Sequence, residues 1–294
     1  MAESIGGQAV IEGVMMRNKD TLAVAVRNDK GKIIVKKEKI RTFTGIITWP
    51  FIRGVAAFFQ MLVIGIKTLT YSSNIALGED EKLDSKEIAG IIALSLVIGI
   101  GMFVLVPYIV TYIIGFSETT EPLLFNIIDS IIKIILFVAY VAIIGRMKDV
   151  KRVFQYHGAE HKAVNCFESG KKVIVKNVKK FSTIHPRCGT SFILLVMVVG
   201  IFVLSLISPL AMLIPSFSFL PFFAQKIILF FIRILFLLPI AGISYEILKL
   251  AGKYKENKIL NAVNYPGMLI QKLTTQEPDN KQIEVAIKAL ETVI

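Results

Sequence analysis

The chain has 294 residues, 54% of them hydrophobic, and a mean hydropathy of +0.65, which is too apolar for an ordinary soluble domain of that length. Its net charge is +12, from 34 Lys and Arg against 22 Asp and Glu. In a bilayer protein that excess gathers in cytoplasmic loops, near anionic headgroups, and with no aromatic-interleaved basic stretch nucleic acid is not an expected partner. Two cysteines, Cys166 and Cys188, build no disulfide framework and are expected as thiols or ligands on a reducing cytoplasmic side.

Residues 1–45 are polar and charged, with no cleavable signal expected before the first apolar run. In GGQAVIEGVMMR, Gly6, Gly7 and Gly13 permit a tight backbone around Gln8 and Glu12, a turn leading onward. TLAVAVRNDKGKIIVKKEKI then alternates apolar and other residues on both sides of NDKG, which predicts a β-hairpin. Residues 46–66 (IITWPFIRGVAAFFQMLVIGI) are apolar but interrupted by Arg53 and bounded by Pro50 and Lys67. If this stretch crossed the bilayer, the basic N-terminus would lie outside. The prediction for 46–87 is therefore an interfacial or re-entrant helix, with Trp49 near the headgroups, and a linker.

A hydrocarbon layer of about 30 Å needs about 20 apolar residues in helix. Four runs qualify, at 88–115, 123–145, 192–214 and 222–245. The turn between the first two carries Glu118 and Glu121 without a base, and the turn between the last two, PSFSFLP, is uncharged, so both are expected outside. Residues 146–190 are rich in Lys and Arg against only Asp149, Glu160 and Glu168, which places them inside with both termini. Asp129, Lys133 and Arg233 fall within spans, and their roughly matched depths predict one interhelical charge network, a structural ion pairing or a path for a solute. Residues 247–294 close the chain in the cytoplasm. There, apolar residues at 283, 286, 287, 290 and 294 follow Pro278 and Asp279 and predict an amphipathic helix. The expected fold is mainly α: four transmembrane helices (88–145 and 191–246), an interfacial or re-entrant helix, and a small cytoplasmic α+β portion.

All three histidines and both cysteines lie in 146–190. In HGAEHKAVNCFES, His157 and His161 stand one helical turn apart on one face, so both imidazoles reach one metal. Glu160 lies on the neighbouring strip, Glu168 returns to the direction between the histidines, and Asn165 flanks them. His-x-x-Glu-His is the inverted form of the zinc-protease helix, in which the glutamate polarises the attacking water. A solvated or hydrogen-bonded surface helix would carry the same five-residue pattern. STIHPRCGTSF adds His185 and Cys188 at ligand spacing immediately before a span. Pro186 holds His185 extended, and Thr190 or Ser191 is expected to cap the following helix. Arg187 offers a planar fork for an anionic substrate group or a lipid headgroup. Glu246, at the inner end of the last span, is a more distant carboxylate ligand, while Cys166 faces away from His157 and is expected to pack.

GGQAVIEGVMMR, YHGAEHKAVNCFE, HPRCGTSF and PGMLIQKLTTQEPDNKQIEVAIKAL together resemble the bacterial YqhQ-like family, a domain of unknown function sometimes labelled a predicted metal-dependent enzyme. The resemblance runs along nearly the whole chain. It implies a multi-pass membrane protein and draws attention to Gln8, Glu12, Arg17, His157, Glu160, His161, His185, Arg187 and Cys188. The expected activity is that of a metal-dependent hydrolase at the cytoplasmic face of the bacterial inner membrane, acting on a lipid-linked or membrane-peptide substrate. A divalent metal, zinc first, would be held by His157, His161, His185, Cys188 and Glu246, with Glu160 and Arg187 catalytic. The alternatives are a non-enzymatic assembly or scaffold protein with a structural His/Cys cluster and a small-solute transporter. Its partners would be the lipid bilayer, an anionic lipid or membrane-bound substrate, and further copies of itself.

Overall fold

A computed structural model describes residues 5–77, 85–118, 120–254 and 257–294; the linker positions 78–84 lie outside the described residues. The N-terminal region is a four-stranded antiparallel meander, β1 (Ile5–Val10), β2 (Gly13–Asn18), β3 (Thr21–Arg27) and β4 (Ile33–Lys39), in the order β1-β2-β3-β4. The predicted hairpin is its second half. Asn28 closes the turn by accepting the Lys32 N–H on its side chain at 2.8 Å, with Gly31 at φ 77°. GGQAVIEGVMMR is a second hairpin and not a simple turn, with Val10 opposite Gly13 and Glu12 at φ 51° in the bend. Its period-2 signal is hidden because β2 is buried on both faces, so apolar residues run together in sequence.

The two faces of the sheet carry different layers. Val10, Met15, Leu22, Val24 and Val26 pack with Met61, Ile64, Tyr71 and Ile75 of α1 (Ile52–Ala76). The alternate residues, among them Val14, Met16, Ala23 and Ala25, pack with α5 (Lys148–Glu168) and α11 (Asn280–Val293). The alanines let those helices approach closely. The predicted C-terminal helix is α11, started by a capping box in which Asp279 and Gln282 exchange side-chain and backbone hydrogen bonds, and its buried stripe includes Ile283, Ala286, Ile287 and Leu290.

Among the described residues five helical stretches are long and apolar enough to cross a membrane: Ile52–Ala76, Lys86–Ile113, Pro122–Ile144, Gly189–Ala211 and Phe223–Lys253. The chain is a membrane protein. The stretch Lys86–Ile113 comprises α2 (Ser85–Ile100), a wider π-type turn Gly101–Leu105 and α3 (Val106–Ile113). Pro107, which has no N–H to give to the preceding turn, stands just after the widening. Next come α4 (Pro122–Ile144), the short α6 (Val175–Val178), α7 (Gly189–Met212), the short α8 (Pro215–Ser218), α9 (Phe222–Lys253) and α10 (Lys258–Thr274). Helix α7 packs between α4 and α9, with α10 against its N-terminal part.

Among the described contacts, the members of the predicted network of Asp129, Lys133 and Arg233 meet different partners. Lys133 pairs with Asp129 one turn away on α4, whereas Arg233 reaches Glu118 and Asn126, each at 2.8 Å. Depths counted along separate helices put Arg233 level with Lys133. The loop after α3 folds inward, bringing Glu118 to 4% exposure and giving the guanidinium a carboxylate partner.

Candidate metal centre

Helix α5 lies with Tyr156, Ala159, Ala163 and Cys166 against the sheet and α11, so Cys166 packs in the core. This orientation turns His157 and His161 toward the segment before α7. Gly158 between them is required by a close approach: a Cβ there would lie 2.0 Å from the Gln276 carbonyl oxygen. The connection between α10 and α11 crosses the helix at that point, its Gln276 N–H donating to the Phe154 carbonyl at 2.9 Å.

Each imidazole is fixed from behind by main chain. His157 Nδ1 lies 2.9 Å from the Thr274 carbonyl and His161 Nδ1 lies 2.5 Å from the Thr183 carbonyl. A carbonyl only accepts, so both Nδ1 atoms carry the proton and both Nε2 atoms present a lone pair. This is the support that histidine ligands receive in metal sites. One ligand atom from each of His157, His161 and Cys188 lies within 4.8 Å of the other two, and His157 Nε2 is 3.2 Å from Cys188 Sγ. Burial, the largest influence, holds His161 below the usual imidazole range, partly offset by its hydrogen bond with Cys188. It therefore stays neutral and able to donate a lone pair. Two imidazoles and a thiolate match the donor preference of zinc, and three protein ligands leave a fourth position for water.

The other expected ligands stand apart from this group. His185 Nδ1 accepts the Arg187 N–H at 3.3 Å, and its Nε2, buried without a hydrogen-bond partner among the described residues, lies 3.6 Å from Glu168 Oε2. Glu246 is held by Arg53, whose guanidinium binds both carboxylate oxygens, at 2.7 and 2.5 Å. The HPRC turn meets α9 further along, with the Arg187 side chain against Gly252, and at Glu246 it is α1 that brings a guanidinium. Arg187 is paired with Glu168, so the fork expected for a substrate anion already holds a carboxylate. Asn165 donates to the Ser182 and Ile184 carbonyls at 2.9 and 3.1 Å, holding the turn against α5. Cys188 itself, not Thr190 or Ser191, is the N-cap of α7, its sulfur accepting the Thr190 N–H at 3.4 Å.

Glu160 is 5% exposed, with Oε2 lacking a hydrogen-bond partner among the described residues. Burial pushes its carboxyl up to about 7, against the pull of His157. Its carboxyl lies against Gly7 of β1, where a Cβ would stand 2.8 Å from Oε1. The N-terminal glycines thus connect to the cluster through strand alternation: Gly7 faces Glu160, and Gln8 turns to the other side, against Gly65 of α1. Glu12 is paired with Arg152, with Nη2 at 2.6 Å from Oε2, and accepts the Tyr156 hydroxyl at 3.2 Å. Arg17 donates to Gln60 Oε1 at 2.8 Å. Both of these hold the sheet to its neighbouring helices, away from the cluster.

Sequence reasoning missed Gln271. Its Oε1 accepts the His185 N–H, and its Nε2 donates to the His185 carbonyl and Ser191 Oγ, at 2.9, 2.9 and 2.8 Å. With Asn264, which donates to the Pro186 carbonyl at 2.9 Å, it clamps the HPRC turn onto α10. The available signal was a pair of amides seven residues apart, and hence on one face, in an otherwise apolar helical stretch.

Residues 49–294 match the family model described as "Protein of unknown function (DUF1385)". The chain is 36% identical over 306 aligned positions, covering 98% of this chain and 92% of the relative, to the uncharacterized protein YqhQ of Bacillus subtilis (strain 168). No solved structure matches. With the family model covering most of the chain and the YqhQ alignment nearly all of it, the chain belongs to the YqhQ-like DUF1385 family of unknown function.

Proposed function

We propose that this protein is a metal-dependent hydrolase of the bacterial inner membrane, working at the cytoplasmic face on a lipid-linked or membrane-peptide substrate. Four helical stretches cross in this reading, Lys86–Ile113, α4, α7 and α9, with both termini inside, which keeps the basic 146–190 segment cytoplasmic. The observation that carries the reading is the convergence of His157 Nε2, His161 Nε2 and Cys188 Sγ, with each imidazole's other nitrogen committed to a main-chain carbonyl. Zinc bound there would acidify a water toward neutral pH and polarise a scissile carbonyl or phosphoryl group. Glu160, buried beside His157, would accept the proton of the attacking water. Arg187 would orient substrate by exchanging Glu168 for a substrate anion.

Detergent-purified protein should carry one zinc per chain by elemental analysis. His161→Ala should lower the affinity on the order of 200-fold or more, since about 10–16 kcal/mol over four ligands is about 3 per ligand. Glu160→Gln should keep the metal and abolish rescue of a deletion strain. Wild-type protein that neither carries nor takes up zinc ends the proposal.

The burial of His161 and Cys188, 3% and 4% exposed, favours a second reading, a structural metal in a membrane scaffold. It requires Glu160→Gln to rescue as well as wild type.

A further inference from the structure

Helix α1 is apolar on both of its sides. Its inward side carries Gly54, Gly65, Thr68 and Ser72 together with Met61, Ile64, Tyr71 and Ile75, while Phe59, Leu62, Val63, Ile66 and Leu69 are each 40–51% exposed along one arc. In water the hydrophobic effect would disfavour so long an exposed apolar arc, so it faces lipid or protein. Its position in the fold decides how it meets lipid. The C-terminal half of α1 is the layer beneath the sheet: Tyr71 packs under β3, and Lys36 of β4 sits with Nζ 5.1 Å from the Tyr71 ring. If α1 crossed the bilayer, β4 with Lys36, Lys37, Glu38 and Lys39 would be carried into hydrocarbon, at about 2.5–3.5 kcal/mol per lysine on the most lenient scale. The N-terminal end meets the start of α7, where the Phe58 and Phe192 rings are 6.1 Å apart. The exposed row is therefore continuous with the flank of a span at its cytoplasmic end.

We infer that the exposed face of α1 lies in the headgroup and upper acyl layer of the cytoplasmic leaflet and docks the sheet and the His/Cys centre onto anionic phospholipid. Three cations border the apolar row: Lys67 on α1, Lys36 above Tyr71, and Arg41, whose carbonyl accepts the Gln60 amide at 2.8 Å. Cations bordering an apolar helical face are the composition that binds negatively charged leaflets. Trp49, 60% exposed just before the helix, is the expected interfacial anchor. The inference rests on the four-span orientation and not on the metal.

Trp49 is the only tryptophan, so its depth can be read in the full-length protein in nanodiscs of phosphatidylcholine and phosphatidylglycerol, using lipids brominated near the headgroup or near the chain end. The same measurement on Trp49→Phe combined with Val63→Trp, or with Leu69→Trp, samples about 30 Å of chain in a helix. The expected result is stronger quenching by the shallow bromines at all three positions. Omitting phosphatidylglycerol should raise acrylamide quenching of Trp49 about twofold, and Lys36→Gln with Arg41→Gln and Lys67→Gln should abolish that difference. Deepest quenching at position 63 would show α1 to span, overturning both the inference and the orientation. Acrylamide access without bromolipid quenching, or indifference to phosphatidylglycerol, would overturn the inference and leave the orientation standing.

Discussion

The two polar clusters of this protein solve opposite problems. Inside the spans, Arg233 ends on Glu118 and Asn126, and Lys133 on Asp129. Each cation is answered by an anion, as a low-dielectric setting demands. At the base of α7, His157 and His161 spend one nitrogen each on a carbonyl and turn the other toward Cys188, so three donors of lone pairs face one another without a cation among them. The first arrangement sets charge against charge, whereas the second groups lone-pair donors at the spacing a metal ion would need.

The comparison is tested most severely by Arg233→Met. Removing one partner of a buried pair leaves the other charge without its main compensation, about 3–5 kcal/mol, whereas neutralising both restores most of the loss. The expected outcome is a large fall in the thermal midpoint for Arg233→Met, recovery in Arg233→Met/Glu118→Gln, and unchanged zinc content in both. Loss of zinc with Arg233 would mean that the two clusters are one system.

The site was half legible in the sequence, for a physical reason. His157 and His161 share a helix, so their common face follows from 3.6 residues per turn, and Cys188 is tied to them by its place before a span. What brings the two pieces together is α10, whose Gln271 and Asn264 act across more than seventy residues, and no local period encodes that. Glu246 shows the converse. Its neighbour is Arg53 of α1, whose path depends on packing under the sheet. The strands divide by their turns: β2 and β3 are both buried on both faces, so it was the turn-forming NDKG ahead of the exposed β4 that marked the second hairpin, while β1 and β2 went unread.

Gln271→Ala tests whether α10 is the clamp. It deletes three buried hydrogen bonds and leaves the His185 N–H without its acceptor, about 2–4 kcal/mol in sum. Unfolding of the cytoplasmic portion should come earlier, and zinc affinity should fall by about 10–100-fold, the range for groups that orient ligands. A stability loss with zinc affinity intact would confine Gln271 to packing.

The smallest effect separates two adjacent glycines. A Cβ on Gly7 would stand 2.7 Å from the Met15 carbonyl oxygen and 2.8 Å from Glu160 Oε1, whereas one on Gly6 meets nothing within 4 Å. Neither has a positive φ, so the contrast is steric and not conformational. The Met15 carbonyl belongs to the β1–β2 ladder, so that contact is relieved only by a shift of the strand backbone, while the Glu160 carboxyl must also move aside. Gly7→Ala should cost about 1–3 kcal/mol, as overpacking does, while Gly6→Ala should be neutral or stabilising by about 0.4–1 kcal/mol through the unfolded chain. Zinc content should survive both, because neither residue touches a ligand, but rescue of the deletion strain should fail in Gly7→Ala alone if Glu160 handles the proton. Equal rescue by the two variants would separate the strand from the chemistry and return Gly7 to a purely structural role.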